Sequence, residues 1–407
     1  MKLRICMVLY WPHYNPEMRL DPQIEICSYL RHFGHEITWI LWNDEKNNQR
    51  PFYFDGIRIF TTPFKNYLPH KWPFADVINV IPNSVRRMQI INKILQQEEF
   101  DIVFVRDFAF DGMVAARIKK KKKTKFVFQL TNPIEHFWEA FRIEVPKMLR
   151  PFNYVAVNTH GYLAKTLLGK ADLILSISQH YKELLITKGI APSKILVYPS
   201  GIDPARYNNV SAGDIRDKYH LEKCKVVIYI GAIAKVRQLD IAIKAFASVA
   251  GKSNARLLMV GDGSDVINLK VLSSELGIAD KTIFTGQVPQ NDIPAYLAAA
   301  DVGISPVPPS PFFKMSSPIK MLEYMAMARP VVANEEIPEH HDILSVSQAG
   351  ILVPYTREAF AQAILTLFND PQKAAEMGRK GKEWVNNNRS YEVMARQVEA
   401  GFLNLLK

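Results

Sequence analysis

Apolar residues along this chain gather in short, nearly continuous runs. Residues 3–9, 36–42, 101–105 and 126–130 are runs of this kind, each the length of a strand buried on both faces. Between them lie stretches with helical spacing of apolar positions, predicting helices over 22–33, 84–98 and 110–122. Residues 52–61 hold two short strands with a turn at Asp55-Gly56, and the aromatic, proline-punctuated stretch 72–82 reads as loop. This alternation predicts a doubly wound parallel sheet, with ligands beyond the carboxyl ends of its strands. Arg106, Asp107 and residues 129–132 fall at that edge. A second series of the same type starts at 225–231, continues through strands at 256–260, 282–285, 301–305, 331–333 and 351–353, and ends in helices over 357–368, 371–386 and 391–406. The first loop, 10–20, has no Gly-x-Gly-x-x-Gly, so it lacks the dinucleotide-binding fingerprint.

The stretch 316–332, SSPIKMLEYMAMARPVV, organises the second series. Ser317 suits an N-cap and Pro318 the first helical position. Free N–H groups in a first turn attract anions. Lys320 and Glu323 are three apart and share a face, and Ile319, Leu322 and Met325 form a stripe to bury. Glu323 lies about 7.5 Å along the axis from Pro318 at about 1.5 Å per residue. Spacing alone leaves two readings open. One is an amphipathic helix with a surface Lys–Glu pair. The other is a site with a phosphate at the helix start and a hydroxylated ring beside Glu323.

The stretch resembles the nucleotide-sugar signature of glycosyltransferase family 4, the group 1 glycosyltransferases. The resemblance implies an α/β GT-B fold, with two Rossmann-like doubly wound parallel-sheet domains facing across a cleft. It implies a metal-independent, retaining transfer of a hexose-type sugar from a nucleoside diphosphate, with no cofactor. In the family the carboxylate matching Glu323 binds the donor's ribose hydroxyls. The family pattern has a second glutamate eight positions upstream, where this chain has Met315. GAIAKVRQLDIAIKAF (231–246) is similar to the family stretch whose two cations bind the donor diphosphate, so Arg237 and Lys235 are expected there. A leaving diphosphate develops charge that cations stabilise. Ala232 stands where the family often has Arg, and Arg237-Gln238 where it has Lys-Gly. VGDGS (260–264) and FTGQVP (284–289) match loops bordering the nucleobase and ribose, implying Gly261, Gly263, Gly286 and Val288. Residues 312–318 resemble the loop whose N–H groups approach phosphates and sugar, implying Met315, Ser316, Ser317 and, on the helix, Lys320. On the acceptor side Gln129 replaces a frequent His, which leaves His136 and Asp107 as the candidates beside the reacting hydroxyl. Residues 171–203 match the end of the family's N-terminal domain. The resemblance implies an acceptor-side domain over 1–206, a donor domain over 207–386, and a helix over 387–407 crossing back to the first.

Composition narrows the partners. The 407 residues suit two domains, and a net charge of +11 suits anionic partners. The densest basic run is 119–123, followed by Lys125. Its readings are the solvated end of a helix or a contact with an anionic membrane surface. Stacking aromatics do not interleave with it, so nucleic acid is not expected. The segment 133–168 mixes aromatics with cations and reads as core packing, a flap, or a membrane-facing surface. Three widely spaced cysteines fit neither a metal motif nor a disulfide framework. The run 2–10 is too short for a signal-peptide core with its cleavage site, and no apolar run approaches a membrane span. The expected place is the cytoplasm, peripheral on the inner face of the membrane, in polysaccharide or lipid-linked glycan synthesis. Two rivals remain at this point: a sugar-nucleotide epimerase of the same fold, and a non-catalytic scaffold that binds nucleotide sugars or glycans.

Overall fold

A computed structural model of the chain describes residues 1–13, 22–43, 51–65 and 75–407. It divides into two compact units, Met1–Pro199 with Tyr391–Lys407, and Ser200–Ser390.

The first unit contains β1 (Arg4–His13), α1 (Pro22–His32), β2 (Glu36–Asn43), β3 (Phe52–Phe54), β4 (Ile57–Pro63), α2 (Ala75–Gln97), β5 (Ile102–Arg106), α3 (Ala109–Lys119), β6 (Lys125–Leu130), α4 (Phe137–Phe141), α5 (Arg150–Lys170), β7 (Leu173–Ser176), α6 (Gln179–Thr187) and β8 (Ile195–Val197). Its sheet runs β3-β4-β2-β1-β5-β6-β7-β8, with β3–β4 the antiparallel pair and the other pairs parallel. The strand order reverses between β1 and β5, which opens a crevice at their carboxyl ends. The mostly apolar strands are buried because helices cover both faces. The helix α2 starts at Ala75, inside the stretch whose pattern predicts loop, and carries Pro82 within it. Residues 72–74 of that stretch lie outside the described residues. Proline breaks helices by removing a donor and crowding the preceding turn, so its tolerance here is an override of local propensity by the fold.

One buried cation ties the carboxyl edge of this sheet together. The fully buried Arg87 of α2 donates to the Asp111 carboxylate at 2.9 Å, to Thr62 Oγ1 at 2.6 Å and to the Leu9 carbonyl at 2.9 Å. Its guanidinium lies 4.6 Å from the centre of the Trp42 ring. Burial pushes the Asp111 carboxyl above the usual range, against the pull of Arg87.

The second unit contains α7 (Gly213–Lys218), β9 (Lys225–Ile230), α8 (Asp240–Ala250), β10 (Ala255–Val260), α9 (Val266–Glu275), β11 (Thr282–Gly286), α10 (Ile293–Ala298), β12 (Val302–Ser305), α11 (Ile319–Ala326), β13 (Val331–Asn334), α12 (Pro338–Ser347), β14 (Gly350–Val353), α13 (Arg357–Asn369) and α14 (Pro371–Arg389). Its all-parallel sheet runs β11-β10-β9-β12-β13-β14, so order reverses between β9 and β12.

The last helix, α15 (Tyr391–Leu405), belongs to the first unit. Tyr391, Met394, Ala395, Val398 and Phe402 are buried in the same apolar cluster as Cys27 and Leu30 of α1. A polar latch accompanies them. His35 accepts from Leu3 N through Nδ1 at 3.1 Å, and its Nε2 lies 2.9 Å from the Glu399 carboxylate. The division between units falls at Pro199 and Ser200, ahead of the polar stretch after Tyr207, because Ser200 and Ile202 bond to Ser317 and Arg389 of the second unit.

Candidate donor-side site

The second sheet opens where β9 and β12 part. Their ladder holds at Val227–Val302 and Ile228–Gly303. Beyond it, Tyr324 of α11 accepts from Ile230 N at 3.1 Å and donates to the Ile304 carbonyl at 3.1 Å. The phenol therefore fills the gap between the two strand ends. Gly303 makes room for it, since a Cβ there would lie 2.4 Å from the Tyr324 ring. On α11, Lys320, Met321, Leu322, Tyr324, Met325 and Ala326 are all buried. The stripe predicted from Ile319, Leu322 and Met325 is thus too narrow, and Lys320 is not a surface residue.

Burial gives Lys320 its character. Its ammonium stands 5.0 Å from the centre of the Tyr229 ring and beside Gly231, just past β9. Desolvation, reinforced by the nearby Arg237 charge, lowers its pKa to about 7, while Glu323 pulls the other way. Glu323, half-buried, shows the mirror effect. Burial raises its pKa to about 7, against a hydrogen bond from Tyr207 and the charges of Lys320 and Arg206. The Tyr207 hydroxyl reaches Glu323 Oε1 at 3.3 Å. Arg237, in the short helical turn Lys235–Arg237, stacks its guanidinium 4.8 Å from the Phe313 ring centre. Two cations and one carboxylate therefore meet in a low-dielectric recess at the switch point, where an anion with hydroxyl groups nearby would satisfy all three. Gln238, standing where the family has glycine, still adopts the left-handed φ of 48°.

The loops around the recess are fixed by main-chain packing. A Cβ on Gly261 would lie 2.0 Å from the Gly231 carbonyl, and one on Gly263 2.5 Å from the Ile233 carbonyl. Ile233 N donates to Asp262 O and Asp265 N to Ile233 O, both at 2.9 Å. These two glycines let the loops after β9 and β10 zip together. Gly261 N also donates to the Gly286 carbonyl at 3.1 Å. Val288 packs against the apolar cluster under α11. Lys235 is exposed, and its main-chain N–H donates to Ser264 Oγ at 3.2 Å.

The start of α11 differs from its expected form. Its N-cap is Pro318, without a side-chain cap bond. Ser317 is not the cap, because its hydroxyl is engaged elsewhere. It accepts from Ser200 N at 2.9 Å and donates to Glu339 at 2.7 Å. Glu339 pairs with Arg389 at 3.0 Å, and Arg389 returns to the Ser200 carbonyl at 3.2 Å. This closed ring pins the 316–318 turn to α12 and α14. Ser316 donates to the Phe313 carbonyl at 2.7 Å, and Met315 is buried. Next in the wall, fully buried His340 is kept neutral, its pKa pushed down to about 3 by desolvation. Its ring nitrogens lie 3.0 Å from Ser305 Oγ and 3.0 Å from the Asn334 carbonyl.

His136 and Asp107 belong to the first unit. Asp107, at left-handed φ 58°, follows β5. Its carboxylate accepts from Thr131 N at 2.7 Å and from the Thr131 hydroxyl, and sits 3.5 Å from Arg106 Nε. His136 lies 3.3 Å from Glu139. The histidine that reaches the Asp107 loop is a different one. His160 of α5 accepts from Ala109 N at 3.1 Å, and burial lowers its pKa. Among the described residues, no group of three His, Cys, Asp or Glu side chains is placed to hold a metal ion.

Two doubly wound units of this kind define the GT-B class of transferases. Sucrose-phosphate synthase from Thermosynechococcus elongatus has the same fold, with TM-score 0.75, 17% identity, and 98% of this chain and 99% of that one covered. The profile described as glycosyl transferases group 1 matches residues 212–384, and that of glycosyltransferase family 4 matches residues 24–206. The chain belongs to the group 1 glycosyltransferases of family 4. It is 26% identical, over 58% of its length and 66% of the relative's, to a GDP-mannose-dependent phosphatidylinositol monomannoside mannosyltransferase of Mycolicibacterium smegmatis. It is 22% identical to the alpha-monoglucosyldiacylglycerol synthase of Streptococcus pneumoniae, over 82% of this chain and 70% of that one.

Proposed function

We propose that this glycosyltransferase moves a hexose-type sugar from a nucleoside diphosphate to a lipid or lipid-linked glycan, with retention at the anomeric carbon. The carrying observation is the convergence of buried Lys320 and half-buried Arg237 and Glu323 at the β9–β12 switch point. In this reading the diphosphate lies against Arg237, Lys320 and the first N–H groups of α11, with Lys235 at the rim. The ribose hydroxyls bond to Glu323, whose carboxylate Tyr207 orients. Gly261, Gly263, Gly286 and Val288 shape the loops beside the nucleoside, and Met315, Ser316 and Ser317 the turn beside phosphates and sugar. As the bond from the anomeric carbon to the diphosphate oxygen breaks, charge grows on that oxygen, and the two cations stabilise it. The acceptor oxygen bonds to the same carbon, and its proton passes to the departing diphosphate oxygen. Asp107 and His136 are the acceptor-side candidates, with His160 holding the Asp107 loop. No residue is assigned as nucleophile.

The acceptor is proposed to be reached at an anionic membrane surface. Met148, Phe152, Tyr154, Val155 and Tyr162 are each more than half exposed on or beside α5. Trp138 and Tyr154 meet edge to face at 5.6 Å. The middle of this segment is therefore not packed in the core, whereas Ala164, Leu167 and Leu168 at its end are buried. Part of the basic run has local duties: Lys119 pairs with Asp172 at 2.7 Å and Lys122 with Glu99 at 2.9 Å. Lys120, Lys121 and Lys123 are exposed. Among the described residues no helix is long and apolar enough to cross a membrane.

The test is calorimetric titration with UDP-, GDP- and ADP-sugars, followed by nucleotide release beside lipid acceptors. Binding of a donor with acceptor-dependent release of its nucleoside diphosphate supports the reading. Binding without turnover would favour a scaffold.

A further inference from the structure

The first unit carries a second concavity, where α2, α3 and α5 pack side by side. It is a groove of about 680 Å³ over the outer face of α3, walled by α2 and α5. Met88 of α2, Phe110 and Met113 of α3 and Leu163 of α5 make its apolar stretch. Arg117, Lys120 and Lys170 line it too. None of these three cations has an acidic partner among the described residues.

The order along α3 is informative. Phe110, Met113, Arg117 and Lys120 follow one another at helical spacing, so they form one stripe. The apolar end comes first and the cationic end last. Lys170 closes α5, which like α3 leads into the amino end of the next strand, and so sits at the cationic end. From Phe110 to Lys120 the stripe runs about 15 Å at about 1.5 Å per residue. The apolar part of the stripe, Phe110 to Ala116, takes up about 9 Å of that at about 1.5 Å per residue, and it ends in three cations without acidic partners among the described residues, which matches a single-chain amphiphile with an anionic head and a short or partly inserted chain.

We propose that this groove binds one acyl chain of an anionic lipid, with the phosphate held by Arg117, Lys120 and Lys170. Its ligand is distinct from the donor, and the binding needs no nucleotide sugar. The site is a lipid-holding pocket, not only a charged face.

The test is titration with short-chain lysophosphatidic acid below its micelle-forming concentration, read by calorimetry and native mass spectrometry. Lysophosphatidylcholine of the same chain length and inorganic phosphate are the comparison ligands. One equivalent should bind saturably, the zwitterion at least about tenfold more weakly, and phosphate should not displace it. Arg117→Glu with Lys120→Glu, both at exposed positions, should weaken binding on the order of tenfold or more. Leu163→Trp should block the chain, with a thermal melt confirming its fold. Absence of saturable binding would overturn the proposal. So would equal binding of the zwitterion, displacement by phosphate alone, or unchanged affinity in the charge-reversed protein.

Discussion

The Tyr207 hydroxyl stands 3.3 Å from Glu323 Oε1, joining the segment ahead of the second sheet to the helix at its switch point. The bond lowers the carboxyl pKa while burial raises it, and burial wins. If that carboxylate also accepts ribose hydroxyls, Glu323→Ala removes charge-assisted bonds worth about 1.5–3 kcal/mol. Donor affinity then falls on the order of ten- to a hundredfold. Glu323→Gln should lose less, because one acceptor oxygen survives. Arg237→Ala should lower turnover more than donor affinity. Calorimetry with steady-state kinetics decides, and unchanged donor affinity in a folded Glu323→Ala protein would remove the ribose assignment.

The same recess sets a pH dependence. Glu323 is raised from 4.5 to about 7, so the folded state favours its neutral form. That preference costs nothing below pH 4.5 and costs more as pH rises to about 7. Lys320 is lowered from 10.5 to about 7, so its neutral form is favoured, at no cost above pH 10.5 and at growing cost as pH falls. The two slopes meet near neutrality, where this pair's contribution to ligand-free stability is smallest. Lys320→Met with Glu323→Gln should flatten that dip and gain about 1–4 kcal/mol at neutral pH. Melting temperature should rise while donor binding is lost. A melt at or below wild type at neutral pH contradicts this.

Arg389→Met strands the buried Glu339 carboxylate, which burial already holds above its ordinary pKa. Breaking such a pair costs about 3–5 kcal/mol. Adding Glu339→Gln should restore part of it. Urea unfolding of the ligand-free protein measures both, and a cost within error of zero would show that the ring through Ser200 and Ser317 is not structural.

Anionic vesicles should sediment the protein at low salt and release it at high salt, because surface attraction is screened over about 8–10 Å at moderate ionic strength. Phe152→Ser with Tyr162→Ser should reduce the salt-resistant part of binding. Equal sedimentation with neutral vesicles would dispose of the membrane reading.

The two doubly wound sheets were legible from nearly continuous apolar runs separated by helical spacing. Lys320 and Glu323 were legible as a pair on one face of α11. What spacing could not give was the burial of Lys320, which depends on Gly231 and Tyr229, far upstream in the sequence. Ser317 misled for a related reason. Its local sequence is that of a cap, but Ser200 and Glu339 compete for its hydroxyl. Glu339 and His340 carried a faint signal, an acidic and histidine-rich cluster at 335–342, yet their partners Arg389 and Ser305 are distant in sequence. His160 had none, since a histidine in a long polar helix looks like any solvated one. At Gly261 and Gly263 the motif was visible, and the physical demand behind it, two carbonyls where Cβ atoms would be, was not.

Tyr324 also fixes how much freedom the second sheet's crevice has. A ring wedged over Gly303, with its hydroxyl bonded to both strand ends, sets the opening by the width of a phenol. Both polar ends of that wedge are satisfied before any ligand arrives, so entry of a nucleotide there need not order the strand ends. The ordering entropy that a looser crevice would lose on binding has already been lost in folding.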